Sequence, residues 1–293
     1  MNVLLIGSGA REHAIARALY KAFKPGDVLY CFGNSLNPGI LALAECYQTG
    51  NLNNIEKILW FCQNTSFEFA IIGPEAPLEK GVADALWAHG IPVVGPKQCL
   101  AKLEASKGFT RDLCKKYDLP GSPSYQRFFT LEGAANFLKT LGDDYVIKAD
   151  GLMGGKGVKV AGDHLDNHAE ALAYCQSLLE NNASFVIEEK FIGQEFSLIS
   201  FCDGDHLAHM PAVQDHKRAY KNDTGPNTGG MGSYSDTNHR LPFLSEADIQ
   251  AAQTMNEQVA LALKTECAES YKGILYGGFM ATKDGVKLIE YNV

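Results

Sequence analysis

At 293 residues the chain is longer than one hydrophobic core usually supports, so two or three packed units are expected. Its 46% apolar and 20% charged residues, with no long biased tract, exclude a disordered or fibrous protein. The formal net charge of −8 argues against a broad nucleic-acid or anionic-membrane surface, which would need clustered Lys and Arg. A small anionic substrate stays open, because a few convergent groups in one cleft suffice to hold it.

The amino terminus passes from a short apolar run straight into glycines without preceding basic residues, unlike a signal peptide. No stretch approaches the roughly 20 apolar residues of a membrane helix. The cysteines (Cys31, Cys46, Cys62, Cys99, Cys114, Cys175, Cys202, Cys267) stand singly with no CxxC pair. A cytoplasmic protein without membrane or nucleic-acid partners is expected, and the residues leave the oligomeric state open.

Through residue 100, apolar runs (NVLLIG, VLYCFG, FAIIG, IPVVG) alternate with segments of helical spacing, which predicts βαβαβαβ and an open doubly wound parallel sheet. Ligands of such a sheet sit at the carboxyl ends of its strands. A helical connector follows, then a smaller mixed unit: YQRFF, a helix around LEGAANFLKTL, the strand DYVIKAD, a glycine loop, VKVAG, and a helix through AEALAYCQSLLEN. The remainder carries strands near SFVIEEK, EFSLISFCDG and HLAHMPAV, then a polar, glycine-rich connection from Asp215 to Asp236 whose length marks it as functional or disordered. A helix through EADIQAAQTMNEQVALALK and an antiparallel pair turned at Lys283-Asp284-Gly285 close the chain.

The opening GSGAREHA lacks the dinucleotide fingerprint, since Glu12 stands where the third glycine belongs and the second strand ends at Gly33-Asn34 without an acid for a ribose. What remains is a tight turn around Gly9 that suits a phosphate with Arg11 as counter-ion, or a structural turn with Arg11 solvated. At Gly73-Pro74-Glu75 a strand end presents a glutamate able to accept from sugar hydroxyls or an amine, or to cap a helix. DYVIKADGLMGGKGVKV puts Lys148 on a strand and Lys156 in a loop with Gly151, Gly154, Gly155 and Gly157. It is no Walker A loop, because Lys156 precedes Gly157 rather than Ser or Thr. Bare backbone that closes over phosphate oxygens is one reading and a glycine-rich hairpin the other. Glu290 and Asn292 lie two apart on a strand and so share one face, where alternation alone makes them solvent-facing polar residues and two oxygen ligands for Mg²⁺ are the other reading. His164 and His168 lack the further ligands of a zinc site.

The succession of Lys on a strand, a glycine loop, Glu-Glu-x-Phe and a further Glu resembles the ATP-grasp nucleotide cleft between two α+β lobes. DHKRAYKNDTGPNTGGMGSY narrows the likeness: with GSGAREHA, GPEAPL and the terminal Glu and Asn, the whole chain resembles the phosphoribosylamine–glycine ligase family. The resemblance implies an N-terminal α/β substrate-binding domain over 1–101, a helical connector over 102–121, a small ATP-grasp lobe over 122–187 and a large lobe over 188–293. It implies ATP-dependent joining of glycine to phosphoribosylamine through glycyl phosphate, with Mg²⁺, or Mn²⁺ in its place. Lys107 and Lys148 would reach the phosphates with Gly154, Gly155, Lys156 and Gly157 above them. Glu188, Glu189 and Phe191 would line adenine, and Glu195 would take the ribose. Lys217 and Arg218 would act at the reacting carboxylate and phosphate. Gly9, Arg11, Glu12, Gly73, Pro74, Glu75, Asp215, Asn227, Thr228 and Gly229 would hold the other substrates. Glu290 and Asn292 would ligate the metal. YGGFMAT offers no acidic ligand on the preceding strand, which leaves the number of ions open. Members of this family continue beyond the equivalent of Val293, so the large lobe is expected to be truncated, with ATP binding kept and ligation poor. The alternatives are another ATP-grasp carboxylate–amine ligase, such as a biotin carboxylase relative, or a nucleotide-binding fragment without turnover.

Overall fold

The computed structural model describes residues 1–154, 157–222 and 224–293, with Asn227 described by its backbone alone. Two compact units emerge: Met1–Lys102 with Tyr271–Ile274 and Val293, and Leu103–Ser270 with Leu275–Asn292.

The first unit runs β1 (Asn2–Ile6), α1 (Ala10–Ala22), β2 (Val28–Gly33), α2 (Pro38–Leu41), β3 (Cys46–Thr49), α3 (Ile55–Cys62), β4 (Phe69–Ile72), α4 (Glu75–Glu79), α5 (Val82–Ala88) and β5 (Val93–Val94), with α6 (Gln98–Ala105) beginning in it. The strands form a parallel sheet ordered β3-β2-β1-β4-β5. Side chains alternate across its faces. Leu4 and Ile6 join Phe32, Ile58 and Leu86 in one core, while Val3 and Leu5 join Ala16, Leu29 and Ile40 in another. This is the doubly wound sheet that the apolar runs predict, with one addition. β3, CYQT, is a half-exposed edge strand, so it lacks the continuous apolar run by which buried parallel strands are recognised.

The second unit continues with α7 (Lys107–Lys116), β6 (Tyr125–Phe128), α8 (Ala134–Leu141), β7 (Tyr145–Ala149), β8 (Val158–Val160), α9 (His168–Glu180) and β9 (Phe185–Glu189). An antiparallel sheet ordered β6-β9-β7-β8 packs Phe128, Ile147, Phe185 and Ile187 against Leu138, Ala171, Cys175 and Leu178 of the helices. β9 lies between β6 and β7, so residues 187 and 188 both belong to this sheet.

Next come β10 (Gln194–Asp203), β11 (Leu207–His209), β12 (Gln214–Tyr220), β13 (Thr224–Tyr234), a 3-10 turn, α10 (Glu246–Cys267), β14 (Lys272–Thr282) and β15 (Gly285–Asn292). Their main sheet is ordered β11-β10-β14-β15. α10 starts from a capping box in which Ser245 and Asp248 satisfy each other's backbone N–H groups. It lies along one face of the sheet: Asn256 Nδ2 donates to Leu198 O (3.2 Å) and Ser200 Oγ (2.9 Å), and Tyr291 Oη donates to Met255 O (3.1 Å). The polar segment from Asp215, expected as a connection, is instead a two-stranded ribbon, β12–β13, with two register shifts. Its glycines mask the period of two, and neither face is apolar enough to mark a strand.

Between β9 and β10 the chain passes so close to β14 that a Cβ built on Gly193 would lie 2.0 Å from Ala281 O. Because that obstacle is backbone, Gly193→Ala should cost about 1–3 kcal/mol as a steric insertion. Urea unfolding measures this, and an unchanged midpoint would refute the close approach.

Candidate active site

The second unit buries three charges together. Lys148 is the fourth residue of the wholly buried β7, and Glu188 is the fourth of β9; the register pairs Lys148 with Val186 and Val146 with Glu188. The two side chains are therefore diagonal neighbours on one sheet face. Arg111 reaches them from α7, one helical turn after Lys107. Arg111, Lys148 and Glu188 are only 2%, 4% and 3% exposed. Arg111 Nε donates to Glu188 Oε2 (2.7 Å) and Nη2 to Oε1 (3.1 Å), a forked pair, while the Lys148 ammonium meets the same carboxylate.

The remaining donors turn to β15. Arg111 Nη1 donates to Leu288 O (3.3 Å) and Nη2 to Ile289 O (2.7 Å), and Lys148 Nζ donates to Ile289 O (2.9 Å). Burial pulls the Lys148 ammonium below its usual range. Burial also pushes the Glu188 carboxyl up, but Arg111 and then Lys148 outweigh it and hold it below the usual carboxylate range. For Arg111 burial opposes the charge and Glu188 more than restores it.

Ile289 is available to both cations because the β14–β15 ladder is irregular there: Gly278 pairs with Glu290, whereas Phe279 pairs with Leu288. The extra residue reverses the alternation. Val286 and Leu288 point into the core before it and Tyr291 after it, so Glu290 and Asn292 emerge together on the opposite, half-buried face. Among the described residues Glu290 and Asn292 have no side-chain hydrogen bond or ion pair, and no group of three or more His, Cys, Asp or Glu is placed to hold a metal. A carboxylate and an amide with uncommitted oxygens on one face fit a hard cation that completes its shell with phosphate and water.

Lys107 opens α7, where Ser106 caps the helix, and its Nζ donates to Gly151 O (3.1 Å). Gly108 N donates to Asp150 Oδ1 (3.1 Å), and Arg127 holds the other oxygen of Asp150 at 2.7 Å. The start of α7 is thus tied to the start of the glycine loop. Gly154, in the left-handed region at φ 54°, and Gly157 belong to that loop; Gly155 and Lys156 lie outside the described residues. Glu189 ends β9, its N–H donating to Ser124 O (2.9 Å), and Phe191 follows half-buried.

A second polar group lies at the head of β10. Lys217 Nζ donates to Glu195 Oε1 (2.8 Å) and stands 3.8 Å from Asp215. Burial opposes the Lys217 charge, but Glu195 outweighs it and the ammonium titrates above its usual range. Ser197 and Tyr276 share a hydroxyl–hydroxyl hydrogen bond of 2.6 Å, and Tyr276 sits opposite Asn292 in the ladder. Successive residues of a strand diverge. Arg218 accordingly leaves this group and donates to Gly225 O (2.7 Å) and Asp163 Oδ2 (3.0 Å). Thr228 Oγ1 donates to Lys217 O (2.9 Å), Gly229 is open, and the Asn227 side chain lies outside the description.

In the first unit, Gly9, Arg11, Glu12, Gly73, Pro74 and Glu75 gather at the carboxyl ends of β1 and β4. The protein's own side chains occupy part of this turn. Gly9 N already donates to Glu12 Oε2 (2.5 Å) and Arg11 Nη1 to Gly73 O (2.6 Å), so the helix terminus holds an internal carboxylate. A Cβ on Gly73 would fall 2.1 Å from Glu12 Oε1, which explains the glycine.

Sequence reasoning missed Arg111, Ser197 and Tyr276. Arg111 had one available signal, its i, i+4 spacing from Lys107 on a helix face. The buried triad is testable through stability. Glu188 has a depressed folded pKa, so its contribution is fully present above the unfolded carboxyl range near ~4.3 and is lost as pH falls through the lower folded value. Glu188→Gln should therefore cost about 3–5 kcal/mol at neutral pH by leaving buried cations unpaired. That gap should shrink in acid. Denaturant unfolding of both proteins from neutral pH to about pH 3 checks it, and a pH-independent difference would contradict the assignment.

Two family models match the chain: phosphoribosylglycinamide synthetase, N domain, over residues 1–104, and phosphoribosylglycinamide synthetase, ATP-grasp (A) domain, over residues 105–293. A phosphoribosylamine–glycine ligase of Methanosarcina acetivorans is 48% identical over 292 residues, covering 100% of this chain and 66% of the relative. One of Methanobrevibacter smithii is 48% identical over 296 residues, covering 100% and 66%. The crystal structure of phosphoribosylamine–glycine ligase from Thermotoga maritima is similar with TM-score 0.82 and 28% identity, covering 100% of this chain and 68% of that one. The ADP complex of an N5-carboxyaminoimidazole ribonucleotide synthetase shares the fold at TM-score 0.73 and 17% identity, covering 99% and 69%. The chain spans about two thirds of the length of the curated relatives it matches. With both units matched in order along its whole length, the chain belongs to the phosphoribosylglycinamide synthetase family, with an N domain followed by an ATP-grasp domain.

Proposed function

We propose that this chain carries the nucleotide- and substrate-handling groups of an ATP-dependent ligase that joins glycine to phosphoribosylamine, giving glycinamide ribonucleotide, ADP and phosphate. The observation that carries the reading is the Arg111–Lys148–Glu188 cluster beside an uncommitted Glu290 and Asn292, in a chain of this family. A carboxylate is a poor acyl donor because its leaving group would be oxide. The glycine carboxylate oxygen therefore attacks the γ-phosphorus of ATP and ADP leaves. The sugar amine then attacks the acyl carbon, loses a proton and expels phosphate.

The protein's task is alignment, charge neutralisation and exclusion of water. Lys107 and Lys148 meet the phosphates, with Gly154, Gly155, Lys156 and Gly157 as the covering loop. With the Glu188 carboxylate committed to two cations, adenine recognition falls to the backbone of Glu189 and Phe191. Glu195 keeps Oε2 for the ribose hydroxyls while Oε1 holds Lys217. Lys217 and Arg218, with Asp215, Asn227, Thr228 and Gly229, serve the reacting carboxylate, and Gly9, Arg11, Glu12, Gly73, Pro74 and Glu75 serve the sugar amine. Glu290 and Asn292 hold Mg²⁺, or Mn²⁺ in its place, and the ion when bound offsets phosphate charge. In this reading residues 1–101 form the substrate domain, 102–121 the connector, 122–187 with the last two residues of β9 the small lobe, and the remainder to 293 the large lobe, acting on small molecules in the cytoplasm.

Calorimetry should detect ATP binding, and ADP release should require glycine and freshly generated phosphoribosylamine together. Release that responds to bicarbonate and ignores glycine would replace this reading with a carboxylase-type one. Glu290→Gln should raise the Mg²⁺ concentration needed for half-maximal nucleotide binding by about tenfold, the effect of losing one charged ligand. An unaltered metal dependence would remove Glu290 from the site.

A further inference from the structure

Two cations share one carboxylate in the buried cluster. Arg111 and Lys148 against Glu188 leave one positive charge in surroundings almost closed to water, where a charge acts strongly on its neighbours. If Lys148 and Glu188 were alone, they would form a neutral pair, and the ammonium would offer an incoming anion little. Arg111 changes this by forking onto both Glu188 oxygens at 2.7 and 3.1 Å and sharing Oε1 with the Lys148 ammonium, so that one carboxylate serves two cations. It also spans the carbonyls of Leu288 and Ile289 at the irregular step of β15, immediately before Glu290. Glu290 is the next carboxylate acting on both cations. A metal that takes Glu290 therefore leaves the surplus charge for phosphate.

We propose that Arg111 is a positioning residue with two tasks: it draws Glu188 away from full neutralisation of Lys148, so that the cluster keeps a net positive charge for the nucleotide phosphates, and it braces the strand step that aims Glu290 at the metal. The inference rests on the nucleotide-binding reading above.

The test uses calorimetry with ADP and with adenosine, which share a base and ribose but differ in phosphate, across a Mg²⁺ titration. Arg111→Met, which removes the charge, should weaken ADP by about tenfold or more and leave adenosine within about twofold. Arg111→Lys, which keeps the charge and loses the fork, should retain the ADP-to-adenosine ratio yet need severalfold more Mg²⁺. A purely structural arginine would weaken both ligands in parallel, or neither, and either result overturns the inference. Should Arg111→Met fail to fold, Arg111→Lys decides: a lost ratio or an unchanged Mg²⁺ requirement overturns it. Failure of the unsubstituted chain to bind ADP sinks the function reading and the inference with it, whereas ADP binding with an unmoved ratio sinks the inference alone.

Discussion

The buried carboxylate of Glu188, held between Arg111 and Lys148, constrains the second unit more than any other interaction. Removing ions from water costs several kcal/mol each even after the protein relaxes, and only close pairing with complete hydrogen bonding returns that cost. Here the partners come from α7, β7 and β9, and the leftover donors are absorbed by carbonyls of β15. Four elements distant in sequence must therefore meet within hydrogen-bond reach, or an unpaired charge is left inside. An arginine suits the position because its planar fork meets a carboxylate with two parallel bonds and keeps further donors for carbonyls. A lysine there would be a point charge unable to do both.

The irregular step at Ile289 follows from the same demand and has a consequence for the strand's polarity. In an unbroken strand Val286, Leu288, Glu290 and Asn292 would all face one way, which would drive a carboxylate and an amide into the apolar layer under α10. One extra residue moves Tyr291 into that layer, where Phe279 packs edge-on to its ring at 6.3 Å, and turns Glu290 and Asn292 outward. It also exposes the Ile289 carbonyl to Lys148 and Arg111. Core packing, charge satisfaction and the placing of two polar side chains on one face are thus solved by one local departure from the ladder.

How far these features are legible in the sequence depends on the range of the forces behind them. The strands NVLLIG, VLYCFG and FAIIG are readable because burial on both faces demands uninterrupted apolar residues. CYQT escapes because an edge strand needs no such run, and the ribbon from Gln214 escapes because its glycines conceal any alternation. Glu290 and Asn292 are readable as a pair on one face, but which face depends on the irregular step. The adjacent apolar residues Leu288 and Ile289, where alternation should place a polar one, are its local trace. Arg111 is hardest. An arginine on an amphipathic helix reads as a solvated charge, and its partner Glu188 is 77 residues away. No local pattern announces that pairing.

The opening turn of the chain shows how one substitution redirects a familiar scaffold. A parallel sheet of this kind offers ligands the carboxyl ends of its strands, and a glycine-rich turn there usually presents bare N–H groups to a phosphate. Glu12 fills that place with a carboxylate belonging to the protein. It accepts from Gly9 N, and the glycines at 7 and 73 make room for its side chain, so the site is built around the acid. The local charge then changes sign, from a helix terminus that attracts anions to one already satisfied by one. A phosphate group would meet repulsion from Glu12 there, whereas an amine or a hydroxyl donor would meet an acceptor. Glu75, half-buried at the start of α4 and without a hydrogen-bond or ion-pair partner among the described residues, adds a further acceptor at the end of β4. Arg11 is drawn to the Gly73 carbonyl and supplies a donor at the same edge. An amine or hydroxyl donor matches such a turn better than a dinucleotide does, and the physical causes are Glu12 in place of the third glycine and the lack of an acid at the end of β2.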